Sequence, residues 1–183
     1  MTEKSKELAA ALDALEEVVE RQQASPDSVR SQLATLLLGF PRDSAQRPRA
    51  HRMLGVVYSQ MGREADALKE LREARALAAK LSPPNYRELG NAARAMAALH
   101  AASGDDRLAR DELVTALTFT AIAGGPEDVV RLIADVAHGE LDGEHFENAA
   151  LLFDFLLKGN ETLNVPGDIV PGARIGLVQA LNA

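Results

Sequence analysis

Apolar residues recur at spacings of three and four along most of the chain, the mark of helices that each bury one face. Leu8, Leu12, Leu15 and Val19 share a face of a helix predicted over residues 3–23, with Thr2 as its N-cap. Ser25-Pro26 reads as a cap followed by a first-turn proline, opening a helix that points Val29, Leu33, Leu36 and Leu37 inward and closes at Gly39. Phe40 to Ser44 is a loop. From about Ala45 the helices come in pairs: 45–61 with 64–81, 85–103 with 106–123, and 126–141 with 144–158. The breaks carry turn chemistry, at Gly62, Ser82-Pro83-Pro84, Gly104-Asp105, Gly124-Gly125-Pro126 and Asp142-Gly143. Residues 159–171, with Gly159, Pro166, Gly167 and Pro171, read as a longer loop, and 172–182 as a last helix. No stretch alternates with period two, so the predicted class is all-α.

The paired helices repeat an internal pattern. Leu54-Gly55, Tyr58, Gly62, Ala67, Leu71 and Ala74 stand at fixed offsets, and Gly104, Ala109, Leu113 and Ala116 follow the last four of their kind at 42 residues. In that second copy Ala97 takes the small position of the first helix and His100 the place of the tyrosine. A third copy needs a one-residue shift, with Gly143 at the turn, Phe146, Ala149 at the crossing, and Phe153 and Leu156 after it. Its first helix, Val129 to Leu141, has no tyrosine. Each position has a physical reason. Gly55 and Ala67 belong where two helices cross too closely for larger side chains, Tyr58 fills the space beside them, Gly62 permits the turn, and Ala74 lets the second helix approach the next hairpin.

This pattern resembles the tetratricopeptide repeat (TPR). The resemblance covers roughly residues 48–158 and implies a right-handed α-solenoid of antiparallel hairpins, about nine helices in all. The usual repeat has about 34 residues. Here the copies recur at about 40 to 42, which resembles the longer-helix members found in bacterial signalling regulators and motor-adaptor light chains, with the extra length adding a turn to the helices around Leu77–Leu89. The domain reading is a single unit, 1–183: a divergent N-terminal hairpin at 1–44, three repeats at 45–158, and a loop and C-terminal capping helix at 159–183. That last helix is unusually apolar, with Ile175, Leu177, Val178 and Leu181, which points to folding back, to homo-oligomerisation through it, or to a longer chain that continues past it.

Composition removes several functions. The chain has no cysteine, so disulfides and thiolate metal sites are excluded. The opening MTEKSKE leads into charged amphipathic sequence rather than an apolar leader, so the expected location is the cytoplasm, and no apolar run approaches a membrane span. Charge is uneven. Residues 1–94 carry 15 basic and 13 acidic groups, and residues 95–183 carry 5 and 14. An acidic second half argues against nucleic acid; it reads as a solvated acidic surface, with an end-to-end polarity that selects a basic partner as the alternative.

Catalytic signals are missing. His138, Glu140, Asp142, Glu144 and His145 cluster near a predicted turn, but without HExxH or EF-hand spacing they read as a polar interhelical turn. His100 reads as packing and His51 as ordinary surface. There is no phosphate loop and no GxSxG, and Asn160-Glu161-Thr162 has no meaning as a glycosylation acceptor without a secretory signal. The expectation is a protein with no catalytic residues, no metal and no cofactor.

The resemblance implies binding on the concave side, which the first helix of each hairpin faces. Carried over residue by residue, the groove is Arg49, Arg52, Val56, Ser59 and Gln60, then Asn91, Arg94, Ala98, Ala101 and Ala102, then Arg131, Ala134, His138 and Leu141. The arginines would pair with carboxylates of a protein or peptide partner. Val56 and Ala95 stand where the family's carboxylate clamp for C-terminal peptides has asparagines, so that clamp is not expected. The alanine-rich centre suits a helix or an extended apolar segment. The function expected is a scaffold or adaptor for protein–protein interaction. A peptide-sensing regulatory domain of a bacterial signalling protein and a TPR-type secretion chaperone are the alternatives.

Overall fold

The computed structural model describes residues 3–21, 23–159 and 165–183. Thr2 and the Asn160-Glu161-Thr162 triplet lie outside the described residues. Among the described residues the chain is nine helices and no strand: α1 Glu3–Glu20, α2 Pro26–Gly39, α3 Arg47–Gln60, α4 Glu64–Lys80, α5 Tyr86–Ala102, α6 Asp106–Ala123, α7 Pro126–Asp142, α8 Phe146–Lys158 and α9 Ile169–Leu181. None of these helices is long and apolar enough to cross a membrane.

Two compact units divide the chain, Met1–Phe119 and Thr120–Ala183. In the first, α1, α2 and α3 enclose a core of Leu12, Leu15, Val29, Leu33, Phe40, Met53 and Val57. A second cluster, Ala67, Leu71, Met96 and Leu99, joins α4 to α5. In the second unit, Ala137, Ala149, Phe153, Ala173 and Ala180 bring α7, α8 and α9 together, with Val130, Ala134, Leu156 and Val165 beside them.

The crossing of α3 and α4 is as close as the spacing predicts. A Cβ on Gly55 would lie 2.6 Å from Leu71 Cγ and 3.2 Å from the Ala67 carbonyl oxygen. Leu71 and Ala67 are fully buried, so nothing there can yield. α4 to α7 each run 17 or 18 residues, and residues 81–85, within the stretch where the extra length was expected, form a non-helical connection.

The three hairpin turns share one C-terminal cap, the Schellman motif. Gly62 and Gly104 adopt positive φ, +69° and +78°. The next amides, Arg63 and Asp105, donate back to the Tyr58 and His100 carbonyls at 2.8 and 2.9 Å. In the third turn Glu144 takes the left-handed conformation, at φ 63°, and His145 donates to the Glu140 carbonyl at 2.8 Å. The predicted turn residue, Gly143, is at φ −82°. The glycine stands one position early, and this is the physical origin of the one-residue shift. The shared cap sets Tyr58, His100 and Glu140 as equivalents, and likewise Gly55, Ala97 and Ala137.

Helix ends differ from the sequence reading where capping decides. α1 stops at Glu20 rather than 23, α3 starts at Arg47 rather than 45, and α8 starts at Phe146 because Glu144 is left-handed. α9 starts at Ile169, not 172. Pro171 lies inside its first turn, where the amide it lacks would have no intrahelical acceptor.

Candidate functional site

The first helices of the hairpins in the first unit, α1, α3 and α5, lie side by side, and the predicted groove residues from Arg49 to Ala102 lie on α3 and α5. A lattice of ion pairs occupies one part of it. Arg49 donates through Nε to Glu16 at 2.7 Å and also pairs with Asp13. Arg52 donates through Nε to Glu88 of α5 at 2.9 Å and through Nη2 to Glu16 of α1. Arg52 thus joins three helices. Its side chain is 14% exposed, that of Glu16 20% and that of Glu88 9%. Asn91 donates to the other Glu88 oxygen at 3.5 Å, while Asn85 caps α5 by accepting from the Glu88 amide at 3.2 Å.

The electrostatics follow from this arrangement. Burial pushes the Glu16 carboxyl up, but hydrogen bonds from Arg52 and Arg49, with their charges, outweigh it and hold it below its ordinary value. Burial opposes the charge on Arg52 too, and the Glu88 and Glu16 carboxylates overcome it and hold Arg52 above its ordinary value. Arg49 is raised in the same manner by Glu16 and Asp13 against its own burial.

The sequence expectation of an arginine row awaiting a partner's carboxylates meets a specific fact here. Arg49 and Arg52 already hold carboxylates of their own chain. Arg94, exposed on α5, is not without a partner either. Of the other positions predicted for the groove on α3 and α5, none is charged: Val56 and Asn91 are half-buried, and Ser59, Gln60, Ala98, Ala101 and Ala102 are exposed. Glu16 and Glu88 are the residues the sequence reading missed. Each stands 36 residues from Arg52, an acid–base–acid spacing close to the repeat length and the one signal that pointed to them.

In the second unit the predicted residues serve local contacts. Arg131 Nη1 donates to Asp168 Oδ2 at 2.8 Å, joining α7 to the start of α9 in an exposed pair. The Asp168 carboxyl is held low by that hydrogen bond. His138 Nδ1 donates to the Ala134 carbonyl at 2.8 Å, and its ring meets Phe153 edge-on at 4.9 Å. Glu140 accepts from Asn148 at 2.8 Å with His145 3.3 Å away, so this cluster forms the polar turn between α7 and α8. Among the described residues no group of three His, Asp or Glu side chains is arranged to hold a metal.

Two other histidines are inside. His100 is buried at the tyrosine position, as expected. His51, expected on the surface, is 13% exposed, and its Nδ1 faces Glu70 Oε2 of α4 at 2.7 Å. The close α3–α4 crossing covers it, because His51 lies one turn before Gly55 on the same face.

No known protein family and no curated protein matches the sequence. Solved structures match the fold over the whole chain, among them two forms of one protein. One is described as the crystal structure of Podosopora anserina putative kinesin light chain nearly identical TPR-like repeats, with a TM-score of 0.69. The other is a point-substituted form of the same protein, at 0.68. Both are 14% identical to this chain, which covers 88% of each. This likeness is one of fold: the chain is a TPR-like helical repeat.

Proposed function

We propose that this TPR-like repeat is a non-catalytic docking module, an adaptor that holds a segment of another protein against the shared face of α1, α3 and α5. One observation carries the reading. Next to a lattice whose charges are already paired stands a strip of uncharged side chains, half-buried Val56 and exposed Ser59, Gln60, Ala98, Ala101 and Ala102. An anionic segment would have to displace Glu88 from Arg52, leaving a buried carboxylate without its cation, and this opposes such binding. A neutral helix or extended segment needs no such exchange, and small side chains let its backbone come close. The arginines act indirectly, by fixing the spacing of the three helices that form the strip.

Affinity capture with three forms of the chain tests the proposal. Val56→Glu with Ala98→Glu places two carboxylates on the strip, and Lys69→Glu alters the exposed side of α4 instead. A partner retained by the wild-type chain and by Lys69→Glu should be lost from the double variant. Equal retention by all three would remove the strip from consideration.

A further inference from the structure

α9 is anchored on one side only. Ala173, Gly176 and Ala180 are buried against α8 and α7, and a Cβ on Gly176 would run into the Phe153 ring. The same three-then-four spacing occurs in α3, where Ala50, Met53 and Val57 are buried with Val29 and Leu33 of α2. Laying one triplet on the other brings Pro171 onto Pro48, Leu177 onto Leu54, Val178 onto Gly55 and Leu181 onto Tyr58. In α3 the Gly55 face is covered by α4. In α9 the matching residues are open, Val178 at 58% and Leu181 at 70%, with Ile175 at 61% next to them. A helix is what covers this face in the earlier hairpin, so a helix is the element that fits it here.

Charge decides which helix. Residues 120–183 hold ten acidic and three basic side chains, which is the whole of the chain's net charge of −7. α9 itself has no acid and one base, Arg174. Two copies meeting through α9 would bring two strongly anionic bodies together, whereas a cationic helix is attracted to one. The crossing position narrows the choice further. Gly55 receives Leu71, but Val178 projects where that glycine is flat, so an approaching helix needs a small residue opposite it.

We propose that the open face of α9 docks a cationic amphipathic helix from another protein, with alanine, glycine or serine over Val178 and lysine or arginine on its outer side. This surface belongs to the other unit and stands or falls separately from the strip on α1, α3 and α5.

The test titrates the full chain against a labelled designed peptide about five turns long, with alanine and leucine on one stripe and lysine elsewhere. A counterpart has every lysine replaced by glutamate. The lysine peptide should bind one to one and about tenfold tighter or more than its counterpart. Val178→Glu with Leu181→Glu should weaken it about tenfold, although the change makes the surface more negative, and Leu38→Glu on α2 should leave it unchanged. Mere electrostatic adhesion predicts the reverse, tighter binding by the double variant. That result, or an unchanged affinity, overturns the proposal. So does sedimentation showing that the chain alone forms a dimer that the double variant dissolves, since a second copy would then own the face.

Discussion

The two units build the same hairpin and treat charge in opposite ways. Met1–Phe119 holds seventeen acidic and seventeen basic residues and ties many of them together across helices, Arg52 to Glu16 and Glu88, Arg49 to Asp13 and Glu16, Arg75 to Glu112. Thr120–Ala183 holds ten and three, its Arg131–Asp168 pair is open to water, and apolar side chains of α8 and α9 stand exposed as well, Leu151, Phe155, Ile175, Val178 and Leu181. Burying an ion requires a counter-ion within reach. The first unit has the balance to do so, and the positions beside the lattice on α3 and α5 are uncharged. The second has unmatched carboxylates, which stay in water and give that surface a field.

Breaking the lattice is the sharpest way to separate the units. Arg52→Ala strands Glu88, while Glu16 keeps Arg49, and about 3 kcal/mol should be lost from the stability of the first unit in urea denaturation. The crossings should fail alike in both units. Gly55→Ala against Leu71 and Gly176→Ala against Phe153 each force a methyl into a filled site, at about 2 kcal/mol. Turn geometry gives a smaller effect of opposite sign. Glu144→Gly removes a left-handed non-glycine residue and should raise the second unit's stability to denaturant by about 0.5–1 kcal/mol, while Gly62→Ala should lower that of the first by about 1 kcal/mol.

Acid should act on the first unit through Glu16. Its folded pKa lies below the 4.5 of the free side chain, so the stabilisation is complete above that value and is lost as pH falls through the folded pKa. Glu16→Gln should flatten the stability curve below about pH 4.5. Asp168 is lowered too, but its pair is fully exposed and screened by salt, so Asp168→Asn should leave the midpoint of the second unit unmoved. A clear loss there would erase the contrast between the units.

Legibility in the sequence followed distance along the chain. Leu54-Gly55, Tyr58, Gly62 and Ala67 announced a close crossing and its turn because every participant lies within about a dozen residues, where helical period fixes geometry. The third turn was displaced by one residue because a glycine is a signal for positive φ, and here a glutamate adopts it. Val56, Gln60, Asn91 and Ala98 were placed on the first helices correctly as to helix, but whether Arg49 and Arg52 faced a partner or their own chain was not local information. Their carboxylates lie on α1 and α5, more than thirty residues away.

By itself, then, the sequence determined the all-helical class, the hairpin pairing, the first close crossing and the apolar character of the last helix. All of these depend on the identity of residues three, four and seven positions apart. Only the tertiary structure decided that Arg52 joins Glu16 to Glu88, that His51 is covered, that Glu144 rather than Gly143 turns the chain, and that Val178 and Leu181 lie on the uncovered side of α9. Periodicity defines a helix face, but which face is covered, and which charge meets which, depends on how separate helices pack.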